Sequence, residues 1–117
     1  MEKLEVDELA IRVTKGATAK IEWIGISDSR DPAAVVDPFL DELVSELEAE
    51  RTVVDFRALK YMNSPTVATI VKLVRLLDAK RIKTEVIYDQ SIKWQQSAFS
   101  ALDAIARMLT HVTVEGK

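Results

Sequence analysis

Residues 52–74 read TVVDFRALKYMNSPTVATIVKLV. The β-branched and aromatic run at 52–56, broken only by Asp55, is what a buried parallel strand looks like in sequence. A loop follows, then Asn63-Ser64-Pro65. From there Val67, Ile70, Val71, Val74 and Leu77 recur at helical spacing. Ser64 is a good N-cap residue, and Pro65 suits the first helical position. Strand, loop and helix in this order form the first part of a βαβ crossover, which calls for a parallel sheet. The Ser64 hydroxyl then lies at a helix N-terminus, outside the C-terminal edge of the sheet. Free N–H groups and the positive end of the helix dipole favour a phosphate or another anion there.

The flanks extend this pattern. Leu9, Ile11 and Val13 alternate like a half-buried strand, and Lys15-Gly16-Ala17 reads as a hairpin turn. Ile21 and Trp23 continue the alternation, whereas Ile24 and Ile26 fall on the other phase. Gly25 between them marks a bulge or a strand buried on both faces. Residues 28–32 read as a loop. A helix is expected over about 38–50, with Asp37 as cap, Pro38 in the first turn and Phe39, Leu40, Leu43, Val44 and Leu47 facing inward. Residues 33–36 leave room for a preceding turn. Lys80, Arg81 and Lys83 suit a helix C-terminus. A strand at 84–88 follows. Ser91 is expected to cap a third helix carrying Trp94, Ala98, Phe99, Leu102, Ile105, Ala106 and Leu109. Val112 and Val114 suggest a last strand. The expected fold is α/β: one domain over 1–117, with a mixed, mainly parallel sheet of about four to five strands and helices packed against it.

Composition narrows the function classes. A net charge of -3 disfavours nucleic acid, which is bound through clustered Lys and Arg. No 18-residue apolar run suggests a membrane span, and the acidic MEKLEVDEL start has no secretory signal core. The absence of cysteine removes disulfides, thiolate metal sites and cysteine nucleophiles, and fits a cytoplasmic protein. Gly16, Gly25 and Gly116 form no phosphate loop. Ser64 lies in no G-x-S-x-G elbow, and His111 is the sole histidine, with no ligand pattern around it. We therefore expect neither an enzyme nor a cofactor or metal site. The Met start and the polar end 115–117 read as those of a complete small protein.

This element order, with VVDFRALKYMNSPTVATIVKLV at its centre, resembles the STAS domain family (sulfate transporter and anti-sigma-factor antagonist), most sharply over residues 52–77. Asp55 matches the family's strand-end Asp. Ser64 matches the serine that a partner kinase phosphorylates in many regulatory members. Asn63 stands where the family usually has Asp, and Thr66 where it usually has Gly. The resemblance implies an anti-sigma-factor-antagonist-like module that binds a serine kinase/anti-sigma factor of the ATP-binding GHKL class. Its binding surface would comprise Asp55, Arg57, Tyr61, Met62, Asn63, Ser64, Pro65 and Thr66, with Ser29 and Arg30 from a neighbouring loop. Ser64 is the phosphorylation candidate, with Thr66 a weaker one. Other readings stay open at this point. The chain itself is expected to be a monomer or weak homodimer; alternatively, Ser64 can be a plain helix cap in a non-phosphorylated STAS scaffold that binds other STAS domains. The helix N-terminus can instead bind a small anion or nucleotide.

Overall fold

The computed structural model describes residues 2–117. Their elements run β1 (Glu2–Val6), β2 (Leu9–Thr14), β3 (Thr18–Ser27), α1 (Pro32–Val35), α2 (Asp37–Glu46), β4 (Arg51–Asp55), β5 (Leu59–Met62), α3 (Ser64–Ala79), β6 (Lys83–Tyr88), α4 (Lys93–Ala106) and β7 (Val112–Gly116). The fold is α/β, with one mixed sheet of seven strands. The main path is β1-β2-β3-β4-β6-β7, and β5 pairs with β3 beyond the end of β4. The hairpin pairs β1–β2 and β2–β3 are antiparallel; β3–β4, β3–β5, β4–β6 and β6–β7 are parallel.

The steps from β3 to β4, β6 and β7 all advance across the sheet in one direction. Right-handed crossovers then place the intervening helices on one face. The burial alternation agrees. Val13, Ile21, Val54 and Val86 lie on one row and are inaccessible to solvent. The next row on one side, on the opposite face, carries Arg12, Glu22 and Asp55, and the next row on the other side carries Lys20 and Glu85. The aromatic rings join the layers: Phe56, just past β4, packs on Trp23 of β3 at 5.3 Å and on Phe99 of α4 at 4.8 Å between centroids. Trp23 is thus a core residue, while Trp94 is half-buried.

Several expectations need correction. The sheet has seven strands and not four or five: β1 and β5 were not expected. The helix expected at 38–50 is shorter, running as α2 from Asp37 to Glu46, and the preceding turn for which 33–36 left room is α1. Asp31 caps α1, accepting from the Ala34 N–H, and Val36 precedes α2 without a side-chain bond, so Asp37 is not a cap. The C-terminal end of α2 is instead held from α3, where Lys80 Nζ donates to the carbonyls of Val44, Ser45 and Leu47 at 2.6, 3.1 and 2.7 Å. Ile92, not Ser91, precedes α4; the Ser91 hydroxyl donates to Asp89. Helix α3 is also turned relative to its expected stripe. Thr66, Thr69, Ile70, Leu73, Val74 and Leu77 face the core, while Val67 is 40% exposed.

Gly25 carries the bulge. With φ +94° it occupies the region that favours glycine, and a Cβ there would meet the Glu8 carbonyl oxygen at 2.1 Å. Its N–H bonds to the Ala58 carbonyl in the β4–β5 connection, whereas the next N–H, of Ile26, bonds to Glu8 beside β2. One strand thereby serves β2 on one side and two successive strands on the other. Gly25→Ala is expected to lower the unfolding free energy by about 2 kcal/mol or more, read by urea denaturation. An unchanged midpoint would show that this close approach is not a constraint.

Candidate functional site

The chain between β4 and β5 departs from the sheet ladder. The Phe56 N–H still reaches the Ile87 carbonyl of β6, but the Leu59 N–H turns back to the Phe56 carbonyl. Buried carbonyls left by such a turn need donors from elsewhere. Gln95, fully buried on α4, supplies them: its Nε2 donates to the carbonyls of Phe56 at 2.9 Å and Leu59 at 2.8 Å. Its Oε1 accepts from the Asp89 N–H at 2.8 Å, tying in the β6–α4 loop. Sequence reading missed Gln95. Its signal was a lone amide on the inward phase of an amphipathic helix.

Asp55 holds the outer side of the same turn. Its Oδ1 accepts from the backbone N–H of Arg57 at 2.9 Å, and the guanidinium closes a two-point pair on both carboxylate oxygens at 3.1 and 3.0 Å. Burial pushes the Asp55 pKa up. The hydrogen bonds from Arg57, with the charges of Arg57 and Lys20, more than offset this and hold it below the usual carboxylate value. Asp55 therefore orients the loop as well as ending the strand.

Beyond this turn β5 pairs again with β3, Ile26 with Tyr61 and Ser27 with Met62, and leads into α3. Asn63, not Ser64, is the N-cap. Its Oδ1 accepts from the Thr66 N–H at 3.2 Å and from the Thr66 hydroxyl at 2.6 Å, while its Nδ2 donates to the Ser29 carbonyl at 2.7 Å. The Thr66 hydroxyl has one proton, and it goes to Asn63. The 2.7 Å contact between Thr66 and Ser27 hydroxyls is therefore made by the Ser27 proton. The chain of bonds runs Ser27 to Thr66 to Asn63 to Ser29, and locks the end of β3 and the following loop onto the first turn of α3.

This arrangement sorts the expected site residues. Ser64 is exposed in the first turn of α3, outside the capping arrangement, with Pro65 exposed beside it. Ser29 is joined to Asn63, and Arg30 is exposed next to it. Tyr61 is 52% exposed, and Met62 is half-buried against the core. Thr66 is fully buried and spends its hydroxyl on Asn63, so the weaker phosphorylation candidate offers no face to a kinase. The anion reading weakens too: Pro65 has no N–H, and that of Thr66 is taken by Asn63. His111 takes part through its backbone, its N–H bonding to Asp78. Among the described residues no group of three His, Asp or Glu side chains could hold a metal, and no helix is long and apolar enough to cross a membrane.

No protein-family model matches the chain, and no curated protein matches it.

Gln95→Leu keeps the side chain's approximate bulk and removes the partner of the Leu59 carbonyl and of the Asp89 N–H, while the Phe56 carbonyl keeps the Leu59 N–H. A loss of about 3 kcal/mol is expected, from the cost of leaving such groups unpaired; a loss below about 1 kcal/mol would mean that the turn is held otherwise. The Asp55–Arg57 pair has a pH signature. A carboxyl with a lowered folded pKa contributes stability above its unfolded pKa of about 3.9 and loses it as the pH falls through the folded value. The stability gap between the wild type and Arg57→Met should be full above about pH 5 and shrink on acidification. A gap that is constant from pH 7 to pH 2.5 would exclude this linkage.

Proposed function

We propose that this chain is a non-enzymatic bacterial regulatory domain of the STAS type, working in the cytoplasm by binding a protein partner. The partner is a serine kinase/anti-sigma factor, and phosphorylation of Ser64 controls the binding. The observation that carries this reading is the division of labour at the start of α3: Asn63 does the capping, and Ser64 stands exposed beside it. The strand-end Asp55, the loop it orients and the helix opened next to Ser64 match the order of features in the family motif. The binding surface comprises Ser29 and Arg30, Arg57, Tyr61, and the first turn of α3.

A phosphate on Ser64 would add about -1.5 to -2 charges. The helix N-terminus tolerates that charge locally. A partner surface docked on it, acidic or apolar, does not. The switch thus works at the interface, by repulsion and steric block, without refolding the domain.

A capture experiment tests this reading. Wild type, Ser64→Ala and Ser64→Asp serve as baits in lysate of the source organism, and mass spectrometry reads retained proteins and Ser64 phosphorylation. A kinase retained by wild type and Ser64→Ala but lost from Ser64→Asp is the expected result. The same partners on all three baits, with no phosphate on Ser64, would refute the switch.

A further inference from the structure

Helix α3 has a second face, turned away from the sheet, that the fold covers only in part. A shallow, mostly apolar groove runs along it, lined by Ala68, Val71, Lys72, Arg75 and Leu76. Ser64 lies on the same stripe: positions 64, 68, 71 and 75 follow one another at intervals of four, three and four residues, the spacing of a helix–helix seam. Ser64, Ala68 and Arg75 are exposed and Val71 is half-buried. The arginine ion pairs among the described residues are those of Arg51, Arg57 and Arg107, so Arg75 has none. Lys72, by contrast, is engaged by Asp37 and Asp41 at 3.4 and 3.2 Å.

We propose that the occupant of this stripe is the same stripe of a second copy, packed antiparallel, and that phosphate on Ser64 makes the pairing tight. The phosphate part rests on the reading of Ser64 given above. The spacing of four, three and four is symmetric about its centre, so a two-fold axis between residues 69 and 70 maps the seam onto itself. Ala68 then faces Val71 of the second copy, small against large, at both central positions. Arg75 faces Ser64 of the second copy at both ends. Without phosphate, each Arg75 meets the positive end of a helix and finds no counter-charge, so the pairing is weak. With phosphate, each Arg75 gains a dianionic oxygen cluster suited to its planar fork. The dimer covers the first turn of α3, the surface assigned to the kinase. Phosphorylation then both releases the partner and closes the vacated surface.

The test installs phosphoserine at position 64 during synthesis and measures self-association by sedimentation equilibrium. The phosphorylated chain should dimerise about tenfold more tightly than the unmodified one, within the range two exposed charge pairs supply. Arg75→Ala should return the phosphorylated chain to the unmodified value. Ala68→Glu, at an exposed position that leaves the core intact, should abolish the dimer. Two results would overturn the proposal: a phosphorylated chain no more associated than the unmodified one, or a phosphorylated dimer indifferent to Arg75→Ala and Ala68→Glu. Because the phosphate is installed without a kinase, failure here leaves the partner-binding reading intact. Loss of that reading in the capture experiment leaves this result standing.

Discussion

The break between β4 and β5 is the constraint on which the upper half of this molecule depends. Had the strand continued straight from Asp55, the chain would have run on between β3 and β6. Instead the backbone leaves β6 after the Phe56 N–H, turns at 56–59, and resumes as β5 beside β3. Such a turn inside a sheet leaves carbonyls without ladder partners. It exists because Gln95 satisfies them from α4, Gly25 lets β3 bond to Ala58, and Asp55 fixes the Arg57 backbone. Phe56 fills the space behind the turn between Trp23 and Phe99. The result is mechanical: β5 delivers Asn63 to the end of β3, where it can cap α3 and hold the 28–31 loop together.

Asn63 and Thr66 belong to one device. Asn63 needs both ends of its amide: the oxygen takes the Thr66 N–H and hydroxyl, and the nitrogen donates to the Ser29 carbonyl. A carboxylate in its place would set an oxygen against that carbonyl at hydrogen-bond distance. Thr66 needs its hydroxyl to link Asn63 with Ser27, and glycine would leave that buried pair undone. Read as isolated letters, Asn63 and Thr66 show no link to each other. In three dimensions they exchange with each other through hydrogen bonds, and they leave Ser64 with no structural duty.

Strongly periodic elements were legible in the sequence. The strands β2, β3, β4, β6 and β7 and the helices α3 and α4 carry apolar residues at periods of two or 3.6, and those periods reflect what they bury. What escaped has physical reasons. In β1 only Leu4 and Val6 are apolar, and both stay half-buried at an edge. In β5 a single residue, Leu59, is buried, and Tyr61 points outward, so nothing separates it from a loop. The caps shifted because Ser, Asp and Asn are interchangeable by propensity; Asn63 prevails over Ser64 through its bond to Ser29, which lies 34 residues away in sequence. Helix α3 was read with Val67 inward since Thr66 and Thr69 look polar, yet buried partners make their hydroxyls core groups. The site was legible as a stretch of chain. Its internal division of roles was not.

The claim at the centre is that Asn63, and not Ser64, holds the start of α3, so that Ser64 is free to carry a signal. Equilibrium unfolding of Asn63→Ala and Ser64→Ala, side by side with wild type, tests it most directly. Loss of a capping side chain costs about 1 kcal/mol, and more where the same amide also binds a second loop. The structure predicts a loss of about 1–2 kcal/mol for Asn63→Ala and a change within about 0.5 kcal/mol for Ser64→Ala. An equal or larger loss for Ser64→Ala would make Ser64 the cap and remove the ground for reading it as a switch.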